Sequence, residues 1–352
     1  MFMAAAAAAA TRKRPAPGGT DGATAGSKQA RITLGSIDDY ETMEVLGEGS
    51  FGVVVKARHR VTGEAVAVKR ASKAFGLRAV LREAGCLAAC RGHPSVVALR
   101  DVVEDASTGD VFLVMEFVAG ATLRRLLQQQ KRSLSSSPAR FTEAEVRSVM
   151  RQLLRGAERM HAAGIIHRDI KPENILVSGA GEVAVKICDL GLATPARSPA
   201  AEYPERRVGT LRYRSPEQLA GRRDYGAGVD MWALGCVMAE LLTGGEILFA
   251  GADTEDAVLA MAMDLGHALE EKGLKAFDEW PTFQGLPEIS PGAREVLAGL
   301  LAVEPRDRLT ATAALKHRWF AEDEDECPAA ATCRSMVRAA RSSSASVVTI
   351  VV

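Results

Sequence analysis

The sequence predicts an α+β protein of two lobes: a small antiparallel β-sheet lobe with one helix, then a large, mostly α-helical lobe. Three observations predict it. Between Met43 and Phe117, β-branched and small residues fall in short runs with turn signals between them. Inside that stretch, Leu77 to Cys90 carries apolar residues at helical spacing. Beyond Gly120 the character shifts to helix. Hydrophobic residues make up 47% of the chain, ample for a substantial core in one large domain or two.

Residues 1–38 are Ala, Gly, Thr and Pro without an apolar period, and are expected to be disordered. Order should begin near Tyr40, and a first lobe should occupy residues 40–118. Val53-Val54-Val55 and Ala65-Val66-Ala67-Val68 suit extended strands, with Thr62-Gly63 as the turn between them. Val96 to Val103 and Val111 to Phe117 read as two more strands around a turn at Ser107-Thr108-Gly109-Asp110. In the second lobe, residues 119–320, the solvated loop Ser133 to Ser137 precedes a capping-box pattern, Thr142-Glu143-Ala144-Glu145. That pattern opens a helix with Val146, Val149, Met150, Leu153, Leu154 and Met160 on one side, and Gly164 stops it. Later helices are expected over Val229 to Leu242, Asp256 to Leu265, Ala293 to Leu301 and Thr310 to Trp319. Residues 321–352 form an acidic, then Ser- and Ala-rich tail. Its strand-like end, Ser346 to Val352, reads equally as a sticky tail or as a peptide docked elsewhere.

Charge excludes some partners. There are 44 basic and 44 acidic residues, so no global field favours nucleic acid or an anionic membrane. The placement is uneven: Arg12, Lys13, Arg14, Lys28 and Arg31 crowd the amino end, and Glu322 to Glu326 is an unbroken acidic run. Blocks of this kind usually read as solvated tails. Six cysteines lack metal-ligand spacing, and Cys86 and Cys90, one helical turn apart, read as core or half-buried thiols. A reducing compartment is expected, cytoplasmic and/or nuclear. No apolar run is long enough to span a bilayer. The acid-poor amino end leaves open a transit peptide, a nuclear signal at Arg12 to Arg14, or a plain disordered tail.

Two motifs carry chemistry. Gly47-Glu48-Gly49-Ser50-Phe51-Gly52 sits between strand-like runs. A glycine pattern alone also fits dinucleotide folds, but those need a helix to follow. Here Val53-Val54-Val55 follows, so the glycines form a hairpin whose backbone amides can approach phosphate oxygens. His167-Arg168-Asp169-Ile170-Lys171-Pro172-Glu173-Asn174, followed by Asp189-Leu190-Gly191, gathers two carboxylates, an amide and a lysine. That set can hold magnesium, aim a hydroxyl and neutralise a phosphate in flight.

These runs closely resemble the catalytic and metal loops of eukaryotic protein kinases, and the resemblance spans about residues 40 to 320. It implies ATP and Mg2+ as cofactors and transfer of the γ-phosphate to serine or threonine in protein substrates. Leu46, Gly47, Glu48, Gly49, Ser50, Phe51, Gly52, Val53, Val54, Ala67, Lys69, Glu116, Val118 and Leu176 would then contact the nucleotide. Lys69 would meet the α- and β-phosphates with Glu83 as its ion-pair partner, and Leu87 would pack beneath. Met115 would be the gatekeeper. Asp169 would accept or orient the substrate hydroxyl proton, Lys171 would meet the γ-phosphate, and Asn174 and Asp189 would hold the metal. Lysine at 171 is the serine/threonine pattern. Leu190 replaces a commoner phenylalanine but still fills an apolar slot. Gly209 to Glu217 resembles the end of an activation segment, Glu217 would pair with Arg308, and Asp230 would brace the catalytic loop.

Within the kinases the chain is similar to the cyclin-dependent group, and to plant cyclin-dependent kinase F-like proteins, at Gly47 to Val54, Thr210 to Glu217 and Leu248-Phe249-Ala250-Gly251. The resemblance implies preference for proline after the target, through Arg214, and cell-cycle or transcription-related signalling. Departures matter too. The cyclin-binding signature Pro-Ser-Thr-Ala-Ile-Arg-Glu is replaced by Leu77-Arg78-Ala79-Val80-Leu81-Arg82-Glu83, which leaves a cyclin partner open. Phe51 stands at the inhibitory tyrosine. Gly209 replaces a valine. Glu205 falls where the family has its activating phosphothreonine, with Arg82 and Arg168 matching two of three clamping arginines and Thr194 in place of the third. Glu205 would partly replace the phosphate, or be one exposed loop acid among several. The alternative function is a pseudokinase scaffold that binds partners without phosphotransfer. A small-molecule phosphotransferase fits poorly, because the activation segment and the Arg308 bridge belong to protein kinases.

Overall fold

A computed structural model describes residues 34–49, 52–71, 76–133, 141–179, 183–198, 201–284 and 289–321. Ser50 and Phe51, the Ser-rich loop beyond Ser133, and the tails at 1–33 and 322–352 lie outside the described residues.

The strand-prone runs pair into one six-stranded sheet, from β1 (Gly35–Ser36), β2 (Tyr40–Gly49), β3 (Gly52–His59), β4 (Ala65–Ala71), β5 (Leu99–Glu104) and β6 (Val111–Glu116). The spatial order is β1-β5-β6-β4-β3-β2. Every ladder is antiparallel except the first, where Gly35 and Ser36 pair parallel with Val103 and Glu104. Order therefore begins before Tyr40, a correction to the expected start. Two residues carry too little pattern to announce a strand. The single helix of this lobe is α1 (Gly76–Ala89).

Strand alternation decides which residues face the large lobe. In β4, Val66 and Val68 join Ala57, Val103 and Val114 in a cluster on one face. Ala67 turns the other way, against Leu46 and Val54. Lys69 shares the parity of Ala67, so the period of two aims it at the junction of the lobes.

The large lobe begins with β7 (Ala121–Thr122) and α2 (Leu123–Ser133). The predicted capping box then forms at α3 (Glu143–Ala162): the Thr142 hydroxyl accepts from Glu145 N, and the Glu145 carboxylate reaches back to Thr142 N. Short strands β8 (Ile165–Ile166), β9 (Ile175–Ser178), β10 (Ala184–Ile187) and β11 (Thr194–Pro195) frame the motif-bearing loops. Helices α4 (Pro216–Leu219), α5 (Gly228–Thr243), α6 (Glu255–Lys272), α7 (Ala276–Glu279), α8 (Pro291–Leu300), α9 (Ala311–Leu315) and α10 (Arg318–Ala321) follow. Helix α5 is buried on nearly every side, which makes it the axis of the lobe. The helix expected over Thr310 to Trp319 is split at Lys316 and His317, and α6 runs seven residues past Leu265 to Lys272. Its buried positions stop at Leu265, so an apolar period could not reveal the remainder. The architecture is the two-lobed fold that the resemblance implies.

Candidate active site

The lobes meet at a cleft. Leu46, Val54 and Ala67 line it from the sheet side, Leu176 and Cys188 from the large lobe, and Met115, Glu116 and Val118 between them. Two expectations sharpen here. The Glu116 N–H is already taken by Ala98 O at 2.9 Å, and its carboxylate accepts from Ala98 N at 3.0 Å and pairs with Lys186 at 2.8 Å. Gly47, Glu48, Gly49, Gly52 and Val53 sit on the β2–β3 hairpin over the cleft, with Glu48 opposite Val53 and Gly49 opposite Gly52.

Lys69 reaches the cleft and is only 3% exposed. Its Nζ lies 2.9 and 3.1 Å from the Glu83 carboxylate oxygens and 2.6 Å from Asp189 Oδ1. Glu83 faces inward because it shares the buried side of α1 with Val80 and Leu87. Burial alone would lower the Lys69 pKa, but Glu83 and Asp189 more than offset it, so the ammonium stays charged. The two carboxylates fare differently. Burial pushes Glu83 up, while Lys69 holds Asp189 below the usual range against its own burial.

The loop from His167 to Asn174 is held from below. Asp230, buried on α5, accepts from His167 N and Arg168 N at 2.9 Å each, and its Oδ2 lies 2.9 Å from His161 Nε2. Burial would raise the Asp230 pKa, but the His161 hydrogen bond and the neighbouring donors bring it below the ordinary range. These bonds hold Arg168 in a left-handed conformation, φ 69°. His167 Nδ1 accepts from Asp169 N at 3.2 Å, so Nε2 carries the proton that it gives Cys188 O at 3.1 Å. One imidazole thus joins the residues preceding Asp169 and Asp189.

The Asp169 carboxylate is the hub. Its Oδ1 accepts from Thr210 N and Thr210 Oγ1, both at 2.8 Å, and its Oδ2 lies 2.9 Å from Lys171 Nζ and 3.2 Å from Asn174 Nδ2. Lys171 also donates to Thr210 Oγ1 at 2.9 Å. Oxygen donors at Asn174 and Asp189, beside a lysine that can meet phosphate, are the hard ligand set that suits magnesium.

The segment before α4 packs against the catalytic loop. Gly209 has φ 89°, and a Cβ there would meet Arg168 O at 2.4 Å, so glycine alone fits without a backbone shift. Arg214 Nε donates to Gly209 O at 2.7 Å, while its other nitrogens reach Glu255 and Arg207 O. Glu205 lies 3.3 Å from an Arg168 nitrogen and 3.9 Å from Arg82. Glu217 pairs with Arg308 at 2.8 Å, both buried.

The structure brings Lys69, Glu83 and Asp189 together in the cleft and gathers Lys171, Asn174 and Thr210 around Asp169 in a second cluster, the two being joined through the His167 imidazole. Sequence reasoning missed Thr210 as the donor to Asp169, and His161 as a partner of Asp230. It also missed a network in which Arg124 reaches Glu173 at 2.6 Å, Glu240 at 3.1 Å and the Tyr213 hydroxyl. These partners come from separate elements, so no local pattern announces them. The four described cysteines, 86, 90, 188 and 236, are all buried. Burial raises the Cys86 and Cys90 thiols to about 12 and about 11, which keeps them protonated and inert. No helix among the described residues is long and apolar enough to cross a membrane.

A two-lobed fold with a lysine, two acids and a catalytic loop at its cleft defines a phosphotransferase of the kinase type. The chain belongs to the protein kinase family, whose domain model matches residues 40–320. It is 40% identical over 313 residues to a rice (Oryza sativa subsp. japonica) protein named as a cyclin-dependent kinase F-2, covering 81% of this chain and 91% of that one. It is 34% identical to cell division control protein 2 homolog 3 of Trypanosoma brucei brucei, over 86% of this chain and 98% of the other. Against rice (subsp. indica) cyclin-dependent kinase G-2 the identity is 36%, over 82% of this chain and 42% of that longer protein. These relatives place it with the cyclin-dependent group. The protein is an ATP-dependent serine/threonine kinase acting on protein substrates.

Proposed function

We propose that Lys69 positions the α- and β-phosphates of ATP, that Asn174 and Asp189 hold Mg2+, and that Asp169 orients the attacking hydroxyl. Lys171 meets the γ-phosphate. One observation carries this: Asp169 shares Thr210, Lys171 and Asn174, Lys69 joins Glu83 to Asp189, and the His167 imidazole links the two clusters. A magnesium ion held there would offset the charge that develops as the phosphate transfers. The protein's own share is orientation. Thr210 fixes one Asp169 oxygen, and the other faces Lys171. Leu190 is fully buried, which supports the apolar-slot reading and an active enzyme over a scaffold.

Proline preference has a physical source. Gly209 O already accepts from Arg214 Nε, which leaves it a poorer acceptor for the N–H of the residue after the target. Proline has no N–H to leave unsatisfied. Labelled-phosphate transfer to serine or threonine peptides with and without a following proline tests both readings. The proline peptides should react faster, and Asp169→Asn should abolish transfer while Mg2+-ATP still binds. A wild type that binds nucleotide and transfers nothing would establish the scaffold instead.

Glu205 reads as a standing substitute for a loop phosphate. It contacts Arg168, beside Asp169, and Arg82, beside Glu83. Arg82 also donates to Gly191 O and Arg168 to Leu192 O, both just past Asp189. One carboxylate therefore ties together three segments that each carry a cleft residue. Burial opposes its charge, but its own backbone N–H and then the arginines lower its pKa, so it is ionised at neutral pH. Glu205→Ala should cut kcat about tenfold or more, the loss of an interaction of about 1.4 kcal/mol. Unchanged turnover in enzyme that mass spectrometry shows to be unphosphorylated would refute this. Location in cytoplasm or nucleus agrees with the free thiols of Cys86, Cys90, Cys188 and Cys236. Helix α1 keeps only the Arg-Glu end of the cyclin signature and exposes Leu77, so a cyclin, if one binds, meets a different surface.

A further inference from the structure

Helix α3 carries Arg147, Arg151, Arg155 and Arg159 at intervals of four, which on a helix of about 3.6 residues per turn form one slowly winding ridge. Three of the four touch their surroundings. Arg147 lies over the Trp319 ring at 5.3 Å. Arg151 lies over the Phe320 ring at 5.8 Å and donates to Phe320 O. Arg159 donates to Ala89 O, at the end of α1, at 2.6 Å. Arg155 is exposed and has no hydrogen bond or ion pair among the described residues. The local field is positive. His93 beside the ridge is lowered in pKa, by burial first and then by Arg159, Lys186 and Arg155. Glu158, the acid opposing them there, accepts from Thr312 Oγ1 at 2.7 Å.

The described chain ends beside this ridge. Helix α10 closes at Ala321, and the next five residues are Glu322-Asp323-Glu324-Asp325-Glu326. Phe320 O is bonded to Arg151, and two residues of extended chain, about 7 Å, separate Phe320 from the start of the acidic run in the sequence. Arg151 to Arg159 spans about 12 Å along the helix axis. Five extended residues advance about 16 Å.

We propose that the acidic run Glu322–Glu326 seats along the Arg151–Arg155–Arg159 ridge as an intramolecular clasp. Guanidinium groups offer forked donors that match carboxylates, and the direct chain connection gives the run a high effective concentration there. The seat lies next to the contact through which Arg159 holds the end of α1, the helix that carries Glu83. The clasp is independent of the phosphotransfer reading, because Arg151, Arg155 and Arg159 do not line the cleft.

The test uses the full chain with R155K, which keeps the charge and supplies an amine. A zero-length carbodiimide should join position 155 to a carboxylate within Glu322–Glu326, seen by mass spectrometry of the monomer band. The link should vanish in about 1 M salt, where the Debye length is about 3 Å. It should also vanish when the five acids are changed to Gln and Asn. Amide exchange in residues 322–326 should speed up in R155E. Peptide kinase activity of each variant reports correct folding. Linkage of position 155 to Glu158 alone, linkage confined to a dimer band, or a link indifferent to salt would each overturn the proposal.

Discussion

Asp230 shows how much of an active centre rests on a residue that meets no substrate. It holds His167 and Arg168 through their amides and thereby fixes the backbone just before Asp169. Replacing it with alanine would leave two buried N–H groups and His161 unpaired. Asp230→Ala should therefore cost about 3 kcal/mol in denaturant unfolding, and lower kcat more than it raises KM. The pH dependence follows from its pKa, which is depressed below the ordinary 3.8. A depressed carboxylate contributes stability that is fully present above the unfolded value and is lost as pH falls through the folded one. Wild type should lose this contribution only below about pH 4, and the variant's deficit should shrink there.

At the scale of elements, α3 is the segment the sequence described best. Its apolar stripe, its cap and its stop at Gly164 all lie within one stretch, and each acts through neighbours three or four residues away. Thr142→Ala removes the acceptor for Glu145 N and should cost about 1 kcal/mol in thermal or denaturant unfolding, with KM for peptide and ATP unchanged. Helix α1 is the contrasting case. Its periodicity was legible, but that Glu83 faces Lys69 depends on the placement of a sheet that the helix's own residues do not specify.

For the whole molecule, the buried Glu217–Arg308 pair joins the segment behind the catalytic hub to the loop after α8. Arg308 further bonds Ala302 O, Gly228 O and Val303 O, so its guanidinium is fully occupied. Removing one member leaves the other charge buried and alone. Arg308→Ala should cost about 3 to 5 kcal/mol and lower Tm accordingly, measured by calorimetry. Loss near zero would mean that Glu217 finds another partner or water.

The sequence by itself determined which chemistry this protein could perform. His167 to Asn174 places an acid, a lysine and an amide within eight positions, and phosphoryl transfer requires those residue types whatever surrounds them. It also determined strand parity and helix faces, because side-chain direction follows from local backbone period. Only the tertiary structure decided that Lys69 meets Asp189 across 120 positions, that Thr210 braces Asp169, that Arg124 gathers acids from two segments, and that Glu205 sits between Arg82 and Arg168. Such contacts form when whole elements pack, and long-range pairing leaves no period in linear order for a sequence to display.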